Sequence, residues 1–222
     1  MKKHECNSLP DWRELPPAKM IASANAFLAR MQERHTVRQF SDRPAPHEVI
    51  EAAVRTAGTA PSGANHQPLF FSIIGSSGLK KELRQRAEAE GRAFCAGKGG
   101  EEWLDALSPL GTNADKPYLE TAPWIIAIFG QRKGGVRKGV ERQNYCVPES
   151  VGMAAGFMIA ALHHAGVATL THTPKPMTFL NGMCDRPLSE KLHLLLVFGY
   201  LAEAPPCQCT PKEPFEEIAA LL

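Results

Sequence analysis

The chain has 222 residues, 44% of them hydrophobic and 22% charged, with a formal net charge of +2, the balance of one ordinary soluble globular domain. So small and evenly spread a charge excludes the basic footprint of a nucleic-acid binder, and the longest apolar run, Val151 to Ala165, is too short and too interrupted by Gly152, Gly156, His163 and His164 to span a bilayer. Cys6, Cys95, Cys146, Cys184, Cys207 and Cys209 make neither a disulfide framework nor a zinc spacing, and no apolar stretch follows Met1-Lys2-Lys3, so no metal is expected and a cytoplasmic location is.

Pro10, Pro16 and Pro17 make residues 1–16 an extended arm. Met20, Ile21, Ala24, Phe27, Leu28 and Met31 then recur near the helical period and predict an amphipathic helix from Lys19 to Glu33. A second helix is expected from His47 to Ala57 with Val49, Ile50, Ala53 and Val54 inward, followed by a strand at Leu69–Ile74 and a charged helix from Leu79 to about Arg92. Gly97, Gly99, Gly100, Pro109 and Gly111 break up residues 93–116, a segment too long for a simple connection and a candidate lid. The continuous apolar run Trp124 to Phe129 suits a central strand. Pro148 opens a buried helix to about His164; a strand at Val167–Thr171, a helix at Met177–Met183 and a strand at Leu192–Gly199 complete the order. Helices and strands mix without regular βαβ repetition, so the expected class is α+β, a central mixed sheet covered by helices in one domain over residues 1–222. The arm at 1–16 and the proline-rich extension at 201–222 carry Trp12 and Phe215, which suit either the same subunit or a second copy.

The densest local signal is Thr59-Ala60-Pro61-Ser62-Gly63-Ala64-Asn65-His66-Gln67-Pro68, where a helix empties into a turn rich in donors before a strand. Gly63 permits close backbone approach to a ligand, and Pro61-Ser62 makes a rigid edge. Arg34 and Arg38 lie upstream, and Thr171-His172-Thr173 ends a strand downstream. Two guanidinium groups, a donor-lined turn and a hydroxyl-rich strand end match the needs of flavin mononucleotide (FMN): cations for its phosphate, N–H groups for its ring edge and a donor for its N5.

The motifs Arg34-x-x-x-Arg38, Arg55 to Gly63, Tyr118 to Pro123, Ala160 to Gly166, Thr171 to Pro174, Arg186-Pro187 and Val197 to Tyr200 together resemble the nitroreductase superfamily, and within it the iodotyrosine deiodinase branch, over roughly residues 32–216. The resemblance implies a nitroreductase-like fold, an intertwined homodimer with active sites at the subunit interface, bound FMN, and NAD(P)H as electron donor. It assigns Arg34, His35, Thr36 and Arg38 to the FMN phosphate and pyrimidine edge, and Pro61, Ser62, Gly63 and Asn65 to the ring, partly from the partner subunit. Thr171, His172 and Thr173 fall near N5, with the two threonines as the catalytic hydroxyl and donor positions; Lys212 falls where an arginine meets the phosphate.

The same resemblance places a Glu, a Tyr and a Lys of the deiodinase lid, which hold a zwitterionic substrate, at Gly91, Cys95 and Lys116. Only the lysine is kept, with Glu88 or Glu90 as neighbouring carboxylates. The expected activity is therefore FMN-dependent NAD(P)H reduction of a nitroaromatic or similar small, electron-poor aromatic compound, the alternative being reductive dehalogenation of a halophenol or halotyrosine. Cys95 reads as a lid-lining residue and His172 as hydrogen-bonded support or a proton donor.

Overall fold

The computed structural model describes residues 13–93, 113–134, 143–173, 176–203 and 211–221. Cys95 and most of the candidate lid lie outside these residues. The chain divides into two compact units, Met1–Arg34 and His35–Leu222.

The first unit contains helix α1 (Pro17–Gln32), which starts on a proline, where the missing N–H costs no intrahelical bond. The helix expected at Lys19–Glu33 is thus present, but its apolar stripe is not core. Met20, Ile21, Phe27 and Leu28 are all exposed, and no residue of α1 is buried. The physical reason is that one helix has nothing of its own unit to pack against among the described residues.

The second unit is built on a four-stranded sheet in the order β1-β2-β4-β3, formed by β1 (Leu69–Ile74), β2 (Trp124–Gln131), β3 (Ala168–His172) and β4 (Glu190–Gly199). All three strand pairings are antiparallel, and the parallel pairing among the described residues is an isolated bridge, Thr36 to Thr169. Helices α2 (His47–Gly58), α3 (Ser77–Ala93), α4 (Tyr118–Thr121), α5 (Val147–His164), α6 (Phe179–Met183) and α7 (Phe215–Ile218) are the other helices among the described residues, so the α+β class and the nitroreductase-like fold stand. The short helices α4 and α7 escape sequence reading, since one turn is too brief for a periodic signal.

β2 is apolar on both faces because both are covered. Ile126 and Ile128, with Leu196 and Phe198 of β4, pack with Ile50, Ala53 and Ala57 of α2 and Val151, Ala154, Met158 and Leu162 of α5. Ile125, Ala127 and Phe129, with Leu195 and Val197, pack with Leu83 and Ala87 of α3, Leu119 of α4 and Leu180 of α6. Each fully buried Ile, Leu or Phe contributes about 1.5–3 kcal/mol, so this two-sided core is the main source of stability. α5 is buried on one side only: Met153 and Phe157 remain exposed beside Gly152 and Gly156. Among the described residues, no helix is long and apolar enough to cross a membrane.

Gly199, at the end of β4, lets the strand pass Pro123. A Cβ there would lie 2.5 Å from Pro123 Cδ, against a ring that cannot swing away. Gly199→Ala should therefore destabilise the protein by about 1–3 kcal/mol through overpacking, measured as a lower urea midpoint with an unchanged slope.

Candidate functional site

The strand β3 carries the first cluster. Thr36 bridges Thr169, and Val37 N donates to Thr169 O at 3.2 Å, so the segment bearing His35, Thr36 and Arg38 runs beside β3. Alternation along β3 puts Leu170 and His172 on one face of the strand and Thr169 and Thr171 on the other. Leu170 belongs to the core, whereas Thr171 and, just past the strand, Thr173 are exposed.

His172 meets Tyr118 at the start of α4. The two rings are edge-on with centroids 5.8 Å apart, and Tyr118 Oη is 3.5 Å from His172 Nδ1. Burial raises the Tyr118 phenol to about 12, opposed by the Arg38 charge and reinforced by Glu88, so the phenol keeps its proton. Burial, aided by the charges of Lys116 and Arg38, lowers His172 to about 3, so the imidazole is neutral. A protonated phenol and a neutral imidazole share this contact, the direction of the bond following the imidazole tautomer. The other ring nitrogen, Nε2, is buried and has no hydrogen-bond partner among the described residues. His172 is thus a neutral support rather than an acid at neutral pH.

Lys116 and Gly91 adjoin this cluster. Lys116 is 7% exposed and its Nζ donates to Asn113 O at 2.9 Å. A Cβ on Gly91 would stand 3.5 Å from Lys116 Nζ and equally close to Ala114 Cα, which is ordinary contact. Glu88 does not fill the gap left at 91. Its Oε1 accepts from Arg84 Nε at 2.7 Å and from the Lys116 backbone N–H at 2.8 Å. Burial on its own would raise Glu88, but those bonds and the Arg84 and Arg92 charges bring its carboxyl below the usual range.

The turn 61–67 forms a second cluster elsewhere. It leads into β1, and its contacts among the described residues run to the start of α5: His66 Nδ1 lies 3.0 Å from Asn144 Oδ1, and the His66 and Tyr145 rings are 5.8 Å apart. β1 and β3 are opposite edges of the sheet, three strand spacings or roughly 14 Å apart. The residues picked from sequence therefore fall into two groups on one chain: His35, Thr36, Arg38, Gly91, Lys116 and Thr171 to Thr173 in one, and Pro61, Ser62, Gly63 and Asn65 in the other. Arg34 closes the first unit, its N–H donating to Met31 O. Lys212 is exposed in the extended stretch before α7. Sequence reasoning missed the role of Tyr118 against His172 and the whole of Asn144, because both act through partners distant in the chain.

A sequence profile described as the nitroreductase family matches residues 31–200. An iodotyrosine deiodinase of Haliscomenobacter hydrossis is 44% identical over 190 residues, covering 86% of each chain. One from Nematostella vectensis is 38% identical, over 96% of this chain and 81% of its own. Among solved structures, oxidised iodotyrosine deiodinase bound to FMN and 3-iodo-L-tyrosine superposes with a TM-score of 0.72 at 26% identity, over 85% of this chain and 94% of that one. A nitroreductase with bound FMN from Bacteroides fragilis superposes with a TM-score of 0.64 at 16% identity, over 88% and 98% of the two chains, a likeness of fold.

The buried, neutral His172 has a consequence for acid stability. Folded, it refuses a proton down to about pH 3, whereas unfolded it accepts one near its ordinary 6.5. The unfolded state binds more protons across that window, so stability falls as pH drops from 6.5, by up to about 1.4 kcal/mol per unit. His193, also lowered by burial, acts in the same direction. His172→Phe should therefore lose less melting temperature than the wild type between about pH 7.5 and about pH 5, as followed by circular dichroism.

Proposed function

Because the chain belongs to the nitroreductase family, we propose that it is an FMN-dependent reductive dehalogenase of halogenated phenols, halotyrosines foremost. The observation that carries this reading is the identity with deiodinases along nearly the whole chain. It reverses the order expected from sequence, where nitroaromatic reduction stood first.

The residues present suit such a cofactor and ligand. The charges of Arg38 and Lys116 both act on His172, whose buried Nε2 has no hydrogen-bond partner among the described residues. A flat, electron-rich or anionic group is what such a site stabilises. Arg38, with His35 and Thr36 on the same segment, would hold the polar edge of FMN; the exposed hydroxyls of Thr171 and Thr173 would face its reactive side, and Lys212 its phosphate. Pro61, Ser62, Gly63 and Asn65 would line the ring. When bound, FMN supplies the two electrons that, with one proton, turn an aryl halide into the arene and a halide ion, and NAD(P)H is the proposed donor of those electrons. Lys116 and Arg38 favour the phenolate or carboxylate of the ligand by their charge.

A homodimer reconciles the two groups of residues, since the turn of one copy can complete the cluster of the other where a single chain sets them at opposite edges of the sheet. The open side of α5 supports this. Met153 and Phe157 are exposed there, and a Cβ added at Gly152 or Gly156 would meet nothing within 4 Å.

A second reading, reduction of uncharged nitroarenes, draws support from Gly91. Its position faces Lys116 Nζ without offering a carboxylate to the ammonium group of an amino acid.

Chemically reduced protein mixed anaerobically with 3-iodotyrosine should release iodide in step with tyrosine, followed by chromatography. Rapid reoxidation by a nitroarene with no iodide release from iodotyrosine would instead favour the second reading. Gly91→Glu should tighten iodotyrosine about tenfold, the worth of one hydrogen bond to a charged group, and leave a neutral nitroarene unaffected.

A Cβ at position 156 meets nothing within 4 Å among the described residues, so Gly156→Leu should leave the far-ultraviolet spectrum unchanged. Light scattering should nonetheless move from a dimer towards the 24.2 kDa of one chain. A wild-type protein already at that mass would remove the dimer.

A further inference from the structure

The turn from Ser62 to Gln67 is held in a backbone shape that its residues do not favour. Ala64, Asn65 and Gln67 all sit at positive φ, 51°, 54° and 50°, where a Cβ crowds the carbonyl. Bonds inside the turn close it: Gln67 N donates to Ser62 Oγ and Asn65 N to Ser62 O, each at 2.9 Å. They do not tie it to the rest of the molecule. Among the described residues, His66 makes the side-chain hydrogen bond that does.

His66 Nδ1 lies 3.0 Å from Asn144 Oδ1, across 78 residues of sequence. Asn144 is 7% exposed. Its side-chain NH2 donates to Gln131 O at 2.7 Å and its backbone N–H to Arg132 O at 2.9 Å. The amide orientation follows: Oδ1 is the acceptor, so His66 Nδ1 carries the proton. Gln131 extends the connection in two directions, its backbone N–H to Pro68 O at 2.9 Å and its side chain to Glu190 Oε1 at 2.9 Å. Beside this chain of bonds, Gly63 sits so close to Tyr145 that a Cβ would be 2.8 Å from its carbonyl oxygen.

We propose that His66 and Asn144 are positioning residues, a clamp that holds the turn 62–67 in the shape that lines the flavin. The proposal rests on the FMN reading above, but neither residue has to touch the cofactor. Their action is on Ser62, Gly63 and Asn65.

The test uses the full-length protein freed of flavin, with two readouts: hydrogen exchange at the Gln67 amide, and FMN affinity from quenching of flavin fluorescence. His66→Leu should speed Gln67 exchange at least about tenfold and weaken FMN binding about tenfold, while the melting temperature of the apoprotein moves little. His66→Asn should restore most of both, since its amide nitrogen falls where Nδ1 sits. Asn144→Leu combined with His66→Leu should cost little more than Asn144→Leu alone, because that change already removes the bond the two residues share. Where leucine at 66 prevents folding, His66→Gln, whose donor is one bond too far out, gives the same comparison with His66→Asn. Unchanged Gln67 exchange in the variant, or FMN bound as tightly as by the wild type, would overturn the clamp. A wild type that binds no FMN removes the flavin reading instead, and the exchange measurement still decides the clamp.

Discussion

The burial of β2 on both faces is the constraint from which the rest of the molecule follows. A strand with no wet side must have helices above and below it, and α2 with α5 on one face and α3, α4 and α6 on the other meet that requirement. Once both faces are occupied, polar chemistry is driven to the sheet's margins. The threonines of β3 and the donor turn before β1 accordingly stand at opposite edges.

The polar margin is not uniform in character. At the β3 edge, charge is organised around a neutral pair, with Tyr118 holding its proton and His172 refusing one. Burial holds both rings in that state, with the Lys116 and Arg38 charges adding to it at His172 and the Arg38 charge opposing it at Tyr118. At the β1 edge the turn is shaped by hydrogen bonds through His66 and Asn144. The first arrangement suits attraction of an anion, and the second suits a rigid wall.

Much of this was legible in the sequence. The apolar run Trp124 to Phe129 announced a strand covered on both sides, and the punctuation from Pro61 to Pro68 announced the turn, because both signals are local. What was not legible depends on distance. The amphipathic stripe of α1 looks like core by periodicity, yet Phe27 and Leu28 are exposed, since period says which side is apolar and not what covers it. Glu88 looked available to a ligand and is committed to Arg84 and the Lys116 amide, a partnership across 28 residues that no spacing rule reveals. Asn144 had no signal at all, for an isolated asparagine gains its meaning from the carbonyl and the imidazole on either side of it.

The order of the strands bears on how the molecule comes into being. β2 lies between β1 and β4, but β4 begins only at Glu190. A ribosome releasing the chain from its N-terminus presents β1 and β2 as an antiparallel pair with one apolar edge open long before the strand that closes it exists. Ile125 to Phe129 must wait through the synthesis of α5, β3 and α6, and non-local pairings of this kind form slowly. During that interval the nascent chain exposes an unpaired, hydrophobic strand edge, the feature most prone to association between chains. Productive folding of this protein is therefore a race between completion of its C-terminal third and aggregation of its centre.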